Sequence, residues 1–292
     1  MKKLPALFSL ATSIGLWYAC TQHPQNKNTI DKPAIKISNH GVNIAYTDTG
    51  KGDTTLLFVH GWCINKSYFN NQVKYFGNKY RVVTIDLPGY GQSGKNRNSW
   101  TVNDFARDVT FAITTLKLKN VILIGHSMAG EIIVQARLNT PNQVIGLVGI
   151  DNFKGFDGKP ESAKAKADYA EAIAMLKKHF KAVATTYFNQ DLFYKTTSAA
   201  IRKRILNDVA NADSAIAIAS MEDNSFNTTA KLKAAKTKLY LINSDYTPND
   251  TIGFVKAGIP YRLLQIHATG HFPMIEKPAE FNRLLQQAIN QI

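Results

Sequence analysis

A serine stands at a sharp bend in the segment GHSMAG, residues 125–130, between the apolar run VILI and a stretch with helical spacing. Small residues two positions before and after Ser127 are typical of a strained strand-to-helix turn, because larger side chains there would collide with neighbouring backbone. Such a turn holds the Ser127 hydroxyl at a helix N-terminus, where backbone N–H groups favour a developing negative charge. The segment predicts a nucleophile, and an ordinary serine helix cap is the alternative.

Strands and helices alternate around this serine from about residue 34 onward. TTLLFVHG and YRVVTID are near-continuous apolar runs, typical of strands that are buried on both faces of a sheet. The segment TVNDFARDVTFAITTL begins with Thr101 and Asp104 in a capping-box-like arrangement and has its apolar residues on one helix face. The alternation predicts an α/β fold with a mostly parallel sheet that is covered on both sides.

The alternation stops between residues 152 and 225. This interval contains helical patterns such as ADYAEAIAMLKKHFKAVATTYF but no convincing strand, and strands resume with TKLYLINSD. We therefore expect residues 34–151 and 226–292 to form one core, with residues 152–225 as a helical cap over the carboxyl edge of its sheet.

Three further motifs accompany the serine bend. FVHGWC, residues 58–63, and DLPGYGQSG, residues 86–94, each follow a strand, and GHFPMIEKP, residues 270–278, places Gly-His before a helix entry. Together with residues 125–130, these motifs resemble the α/β-hydrolase superfamily, specifically its capped esterase and carbon–carbon-hydrolase branch. The resemblance implies a mostly parallel sheet of the eight-stranded type, flanked by helices, with the helical cap inserted after the sixth strand.

The resemblance also implies roles for individual residues. It makes Ser127 the nucleophile and His271 its general base, and Ala129 stands where the usual Gly-x-Ser-x-Gly motif has its last glycine. A serine is a poor nucleophile until a neighbouring imidazole takes its proton, and an acid must hold that imidazole in one tautomer. The backbone N–H groups of Trp62 and Met128 are expected to form the oxyanion hole, while the Trp62 ring either floors an acyl pocket or packs in the core.

Two carboxylates compete for the role of the acid. Asp245 lies in LINSDYTPND just after the penultimate strand, and Asp151 follows VIGLVGI, the strand before the cap. Both are expected at the carboxyl edge of the sheet, where the active sites of open α/β folds gather. Because the strand before Asp245 neighbours the one that leads to His271, we expect Asp245 to be the acid and Asp151 to be the alternative.

No cofactor and no metal ion are expected. His267 and His271 are four residues apart, but their strand-to-loop setting does not favour a helical metal pair, and the His-Glu-x-x-His motif is absent from the sequence. We expect His60 and His126 to form hydrogen bonds to loops and Asp86 to stabilise its turn.

The first twenty residues, MKKLPALFSLATSIGLWYAC, are expected to be a signal peptide. Two lysines precede an uncharged apolar stretch that is short for a transmembrane helix. The stretch resembles a bacterial lipoprotein signal, which implies that Cys20 becomes the lipidated first residue and that residues 21–33 form a flexible tether. The protein is then exported and anchored on the periplasmic or cell-surface side of a membrane, with simple secretion as the alternative. Cys63 is expected to be a free, packed thiol.

The net charge of the chain gives little information about its partners. The chain of 292 residues has 35 Lys and Arg against 21 Asp and Glu, a formal charge of +14. The positive residues are scattered and no nucleic-acid-binding motif is present, so no nucleic-acid partner is expected. A solvated basic surface or a weak attraction to anionic membranes accounts for the charge.

These features favour a serine hydrolase that cleaves carboxylic esters of modest size through an acyl-enzyme. A carbon–carbon hydrolase or a lactonase would use the same residues, because the cap rather than the nucleophile shapes the pocket. A catalytically silent ligand-binding lipoprotein is the alternative from a different class. An epoxide hydrolase or haloalkane dehalogenase would have Asp where this chain has Ser127.

Overall fold

A computed structural model describes residues 35–156, 162–222 and 226–292. The expectations for the signal peptide, for Cys20 and for the tether at 21–33 lie outside the described residues. The described strands are β1 Ile35–Asn39, β2 Val42–Asp48, β3 Thr55–Val59, β4 Arg81–Ile85, β5 Val121–His126, β6 Val144–Ile150, β7 Leu239–Ser244 and β8 Tyr261–Ile266. The described α-helices are α1 Asn70–Phe76, α2 Val102–Thr115, α3 Ala129–Asn139, α4 Ala163–Asp191, α5 Ala199–Ala210, α6 Ser214–Glu222, α7 Thr228–Ala235, α8 Ile252–Ala257, α9 Pro273–Glu276 and α10 Pro278–Ile289.

The described strands form one eight-stranded sheet in the order β1-β2-β4-β3-β5-β6-β7-β8. β2 pairs antiparallel with both β1 and β4, and every other neighbouring pair is parallel. All residues of β3, β5 and β7 are buried, as expected for strands with helices on both faces of the sheet. The predicted fold class, a mostly parallel sheet flanked by helices, is confirmed.

The start of α2 follows the sequence signal that predicted it. The Thr101 hydroxyl accepts a hydrogen bond from the Asp104 N–H, and the Asp104 carboxylate accepts one from the Thr101 N–H. This reciprocal pair satisfies two N–H groups that the first turn of a helix otherwise leaves without partners. Burial alone would raise the pKa of Asp104, but its hydrogen bonds from Ser99 and Thr101 lower it to about 2.

Helices α4 to α7 lie between β6 and β7, so the helical insertion follows the sixth strand as predicted. The described residues form one compact unit, and the boundaries 152 and 225 between cap and core stay predictions. The continuous helix expected at the start of the cap is interrupted, because His179 within α4 has non-helical dihedral angles (φ −142°, ψ 47°). In the described part of the chain, no helix is both long and apolar enough to cross a bilayer.

Candidate active site

Ser127 occupies a strained turn between β5 and α3. Its φ of +53° lies in the left-handed region, which costs a residue with a side chain roughly 1–2 kcal/mol. The Ser127 N–H donates a 3.0 Å hydrogen bond to the carbonyl of Ile150 at the end of β6, which fixes the turn to the sheet. A Cβ on Gly125 would lie 2.6 Å from the carbonyl oxygen of Ala129, so the turn has room only for glycine at that position. Strain of this kind persists where surrounding structure imposes it, which is common at functional sites.

The loop after β3 passes directly beside this serine. A Cβ on Gly61 would lie 3.0 Å from the Ser127 Cβ and 2.7 Å from Nδ1 of His126, so only glycine permits the approach. Trp62, the next residue, lines the same cavity as Ser127 and Met128. Met128 caps the N-terminus of α3, where the first N–H groups have no acceptor within the helix. The three predicted residues are therefore brought together.

The backbone of His271 is held from two sides. Its N–H donates a 2.8 Å hydrogen bond to the carbonyl of Leu192, which follows α4 in the cap, and its carbonyl accepts one of 2.8 Å from Nε2 of His126. Burial and the neighbouring positive charge of His271 lower the pKa of His126 to about 3, so His126 is a neutral donor at ordinary pH. This confirms the expectation that His126 forms a hydrogen bond to a loop.

Glu276 closes the loop that carries His271. Its carboxylate accepts hydrogen bonds from the N–H groups of Gly270 and Phe272 and from the hydroxyl of Thr197, the last at 2.5 Å. A Cβ on Gly270 would lie 2.4 Å from the Leu192 carbonyl oxygen, which shows how closely the loop packs against the segment after α4. The cap and the His271 loop therefore form one continuous contact.

Asp151 is the carboxylate that meets His271. Its Oδ2 lies 2.5 Å from Nδ1 of His271, and its side chain is completely buried. Burial by itself would raise the pKa of Asp151, but the hydrogen bond and charge of His271, with Lys154, hold that pKa below its ordinary value. An ionised carboxylate can only accept, so Nδ1 of His271 carries the proton and Nε2 is left for another partner.

The prediction that Asp245 is the partner of His271 is wrong. Asp245 accepts hydrogen bonds from Nδ1 of His267, at 2.7 Å, and from the N–H of Ala268, and its side chain is 31% exposed. The hydrogen bond from His267 is the largest of the effects that lower the pKa of Asp245. Asp245 thus stabilises the start of the loop after β8.

The length of that loop explains the error. The five residues from His267 to His271 span at most roughly 17 Å when extended. The ends of β6 and β8 are two strand spacings apart, about 10 Å. The loop can therefore carry His271 past the end of β7 to Asp151. The carboxylate partner of His271 thus follows β6 and not β7, the strand next to β8.

The sequence model of the alpha/beta hydrolase fold matches residues 54–278, well over half of the chain. This chain belongs to the alpha/beta hydrolase family. The AB hydrolase superfamily protein YisY of Bacillus subtilis (strain 168) is 27% identical over 267 residues, which cover 88% of this chain and 98% of YisY.

Solved structures have the same fold as this alpha/beta hydrolase. A thermophilic esterase from Thermogutta terrifontis has a TM-score of 0.76 at 19% identity and covers 89% of this chain and 99% of its own. An enol-lactonase from Burkholderia xenovorans LB400 has a TM-score of 0.75 at 14% identity and covers 88% of this chain and 100% of its own. At these identities the likeness is one of fold.

Side chains that the sequence did not single out surround Asp151 in this alpha/beta hydrolase. The Ser244 N–H and hydroxyl donate to Oδ1 of Asp151 at 2.9 and 2.5 Å. The Tyr246 hydroxyl lies 3.3 Å from Nδ1 of His271, and Lys154 lies 2.8 Å from Oδ1 of Asp151. No motif in the sequence marks Ser244, Tyr246 or Lys154 as neighbours of this carboxylate.

The active-site cavity of this alpha/beta hydrolase has a volume of about 530 Å³ and is lined by both core and cap. Ser127, Asp151 and His271 lie at its core side, while Tyr187 and Phe188 reach it from α4. The lining is mostly apolar and aromatic, as in pockets that bind small organic molecules.

Trp62 combines the two roles that the sequence left open. Its ring lines the cavity and packs against Phe180 and Phe188 of the cap, with ring centroids 5.9 Å away in both cases. Its Nε1 donates a 2.8 Å hydrogen bond to the carbonyl of Ala217 in α6. Trp62 therefore connects the loop after β3 to the cap and forms part of the pocket wall.

The other polar residues of the motifs have structural contacts. Nδ1 of His60 donates to the carbonyl of Gly61, and its Nε2 accepts the N–H of Leu87. Asp86 accepts hydrogen bonds from Lys66 and from the N–H of Gln92, which fixes its turn. Cys63 is free and buried, and burial raises its pKa well above the ordinary value. In the described ranges no group of three or more His, Cys, Asp or Glu side chains is arranged to hold a metal ion.

Proposed function

We propose that this alpha/beta hydrolase cleaves carboxylic esters of modest size through an acyl-enzyme on Ser127. The observation that carries the proposal is the buried contact of 2.5 Å between Asp151 and His271, in one cavity with Ser127 in its left-handed turn. His271 is then the general base and Asp151, in place of Asp245, is the acid that holds its tautomer. No cofactor takes part in the proposed reaction.

The proposed reaction has two halves. His271 Nε2 takes the proton of the Ser127 hydroxyl while the serine oxygen forms a bond to the ester carbonyl carbon. The oxyanion accepts hydrogen bonds from the Trp62 and Met128 N–H groups, each worth roughly 3–4 kcal/mol. The carbon–oxygen bond to the alcohol breaks, and the alcohol leaves with the proton from His271. A water molecule, deprotonated by His271, then releases the acid and restores Ser127.

The cavity limits the size of the substrate. A volume of about 530 Å³ has to hold both the acyl chain and the alcohol of the ester. Its aromatic walls, with Trp62 and Phe188 among them, favour an apolar acyl group, because burying apolar surface stabilises the complex by about 25 cal/mol per Å².

A panel of p-nitrophenyl esters with increasing acyl length tests the proposed function. We expect hydrolysis of short and medium acyl chains, and a fall in kcat/KM for chains that exceed the cavity. Measurements on lactones and on a vinylogous diketone, run beside the esters, separate ester hydrolysis from cleavage of the other bonds. Folded protein that hydrolyses none of the esters contradicts the proposal.

A lactone is the second candidate substrate. The observation that favours it is the likeness in fold to the enol-lactonase, which has a TM-score of 0.75 and covers 88% of this chain. A lactone is a cyclic ester, so the same serine attack applies and the alcohol stays tethered to the acyl group. A kcat/KM for lactones above that for every open-chain ester would favour this candidate.

We propose that the mature protein is lipid-anchored at Cys20, on the strength of the lipoprotein-like leader in the sequence. The wild-type protein should then fractionate with membranes, and Cys20→Ala should move it to the soluble fraction or leave an uncleaved precursor. The shift should be large, because lipoproteins carry several acyl chains and a single chain anchors only marginally. Cys63→Ala, which removes the buried cysteine, is the matched control. Soluble wild-type protein that begins after residue 20 without lipid contradicts the anchor.

A further inference from the structure

We propose that Lys154 is a positioning residue of this active site, whose ammonium group contacts Asp151 and disfavours the charged form of His271. This inference rests on the proposed function, because it concerns the base and acid of the same site. The sequence did not single out Lys154.

The contacts of Lys154 place its charge on the acid. Nζ lies 2.8 Å from Oδ1 of Asp151, and the lysine side chain is only 14% exposed. Nζ also donates to the hydroxyls of Ser244, at 3.1 Å, and Thr247, at 3.2 Å, so three acceptors match its three N–H groups. It lies 4.1 Å from the centre of the Tyr246 ring as well. Lys154 thereby connects the segment after β6 to the segment after β7.

The turn from Asp151 to Lys154 has an unusual backbone conformation. Asp151 has a φ of +48° and Phe153 a φ of +53°, both in the left-handed region. Asn152, between them, exchanges hydrogen bonds with Asn243 and donates to the carbonyl of Gly125. Two left-handed residues with side chains in one short turn are costly, and the surrounding hydrogen bonds hold them in place.

Lys154 is one of several groups that stabilise the ionised form of Asp151. Oδ1 of Asp151 already accepts two hydrogen bonds from Ser244, and Oδ2 receives Nδ1–H of His271. Burial lowers the pKa of Lys154, while the charge of Asp151 opposes that effect. The lysine therefore places a positive charge beside a carboxylate that other donors also stabilise. That charge also acts on His271, which contacts the same carboxylate.

That consequence has a definite sign. The Asp151 carboxylate favours the imidazolium form of His271, and a positive charge on the far side of the carboxylate opposes it. Lys154 therefore favours the neutral form of His271, which is the form that acts as a base. Replacing Lys154 with a neutral residue should move the protonation of His271 to higher pH.

Other ionisable groups also face His271 and stay unchanged in this comparison. They lie on the elements packed around it: Asp151 after β6, His126 at the end of β5, Tyr246 after β7, Tyr187 in α4 and Glu276 in α9. Burial raises the pKa of Tyr246 and Tyr187 and lowers that of His126. These three groups are therefore neutral in the acidic range and do not titrate together with His271.

The test compares Lys154→Met with Lys154→Arg in the full protein. We expect the acidic limb of kcat/KM against pH for p-nitrophenyl butyrate to shift upward by about 0.5–2 pH units in Lys154→Met. In Lys154→Arg, which keeps the charge, the shift should be less than half as large. Lys154→Gln is a second neutral variant that keeps a donor for Ser244 and Thr247, should Lys154→Met fold poorly. Lys195→Met, at an exposed lysine near the ring of Tyr194, is the matched control and should leave the limb unchanged.

A second readout does not depend on turnover. The imidazole NMR signals of His271, assigned by their loss in His271→Gln, report its protonation directly, and their midpoint should shift as the acidic limb does. If the wild-type protein hydrolyses no ester, the proposed function fails while this titration still tests Lys154. A midpoint that is the same in the neutral variants and the wild type, or that moves equally in Lys154→Arg, overturns the inference.

Discussion

Asp151→Asn is expected to lower kcat for ester hydrolysis by about 10⁴-fold, because an asparagine cannot hold His271 in the tautomer that frees Nε2 for Ser127. In the wild type, Nδ1–H of His271 donates to Oδ2 of a buried, ionised Asp151. The neutral amide also leaves the ammonium of Lys154 without its counter-charge, so some loss of stability should accompany the loss of rate. Steady-state kinetics combined with urea unfolding separates the two effects.

Asp245→Asn is the matched control for this experiment. It removes the same charge from the carboxyl edge of the same sheet, but at a partly exposed side chain that contacts His267 instead of His271. We expect its kcat to stay close to that of the wild type. An active Asp151→Asn enzyme together with an inactive Asp245→Asn enzyme would contradict the assignment of the acid.

Ser127→Ala is expected to abolish labelling by a fluorophosphonate probe and to lower kcat by a factor on the order of 10⁵–10⁶. The variant has no serine oxygen to attack the ester carbonyl carbon. The probe phosphonylates an activated serine, so intact-mass spectrometry should show one adduct on the wild-type protein. His271→Ala should lower turnover to a similar extent, because the two residues act as a unit.

Ser220→Ala is the control for the nucleophile. Ser220 lies in α6 and lines the same cavity, but its hydroxyl donates to the carbonyl of Ala217 within its own helix. Labelling should persist in Ser220→Ala at the wild-type stoichiometry. Labelling that survives in Ser127→Ala and disappears in Ser220→Ala would place the nucleophile in the cap.

The sequence predicted the parts of the fold that depend on local pattern. Apolar runs such as TLLFV and VILIGH form fully buried strands, because β-branched apolar residues suit the interior of a sheet that is covered on both faces. The turn at Ser127 was predicted for the same kind of reason, since Gly125 has no room for a side chain. The break of α4 at His179 was not predicted, because the apolar spacing continues through it without a Gly or Pro.

The choice of the acid could not be made from local pattern. Asp151 and Asp245 each follow a buried strand, and only the path of the loop from His267 to His271 decides which of them meets the imidazole. The contact between Lys154 and Asp151 could not be predicted either. The turn that joins them has a left-handed residue at Phe153, and a phenylalanine does not indicate that conformation in a sequence. Side chains that meet across loops depend on the path of the backbone in three dimensions, which spacing along the chain does not encode.

The hydrogen bond from the His271 N–H to the Leu192 carbonyl restricts how substrate enters and product leaves. A cap that lifted as one rigid lid would break this 2.8 Å bond, and with it the hydroxyl contact from Thr197 to Glu276. Each opening would then displace the general base, which would have to be repositioned before the next turnover. Substrate and product that leave the base in place would have to pass where the cap is not joined to this loop, so the segment from 192 to 197 would be the fixed side of any opening.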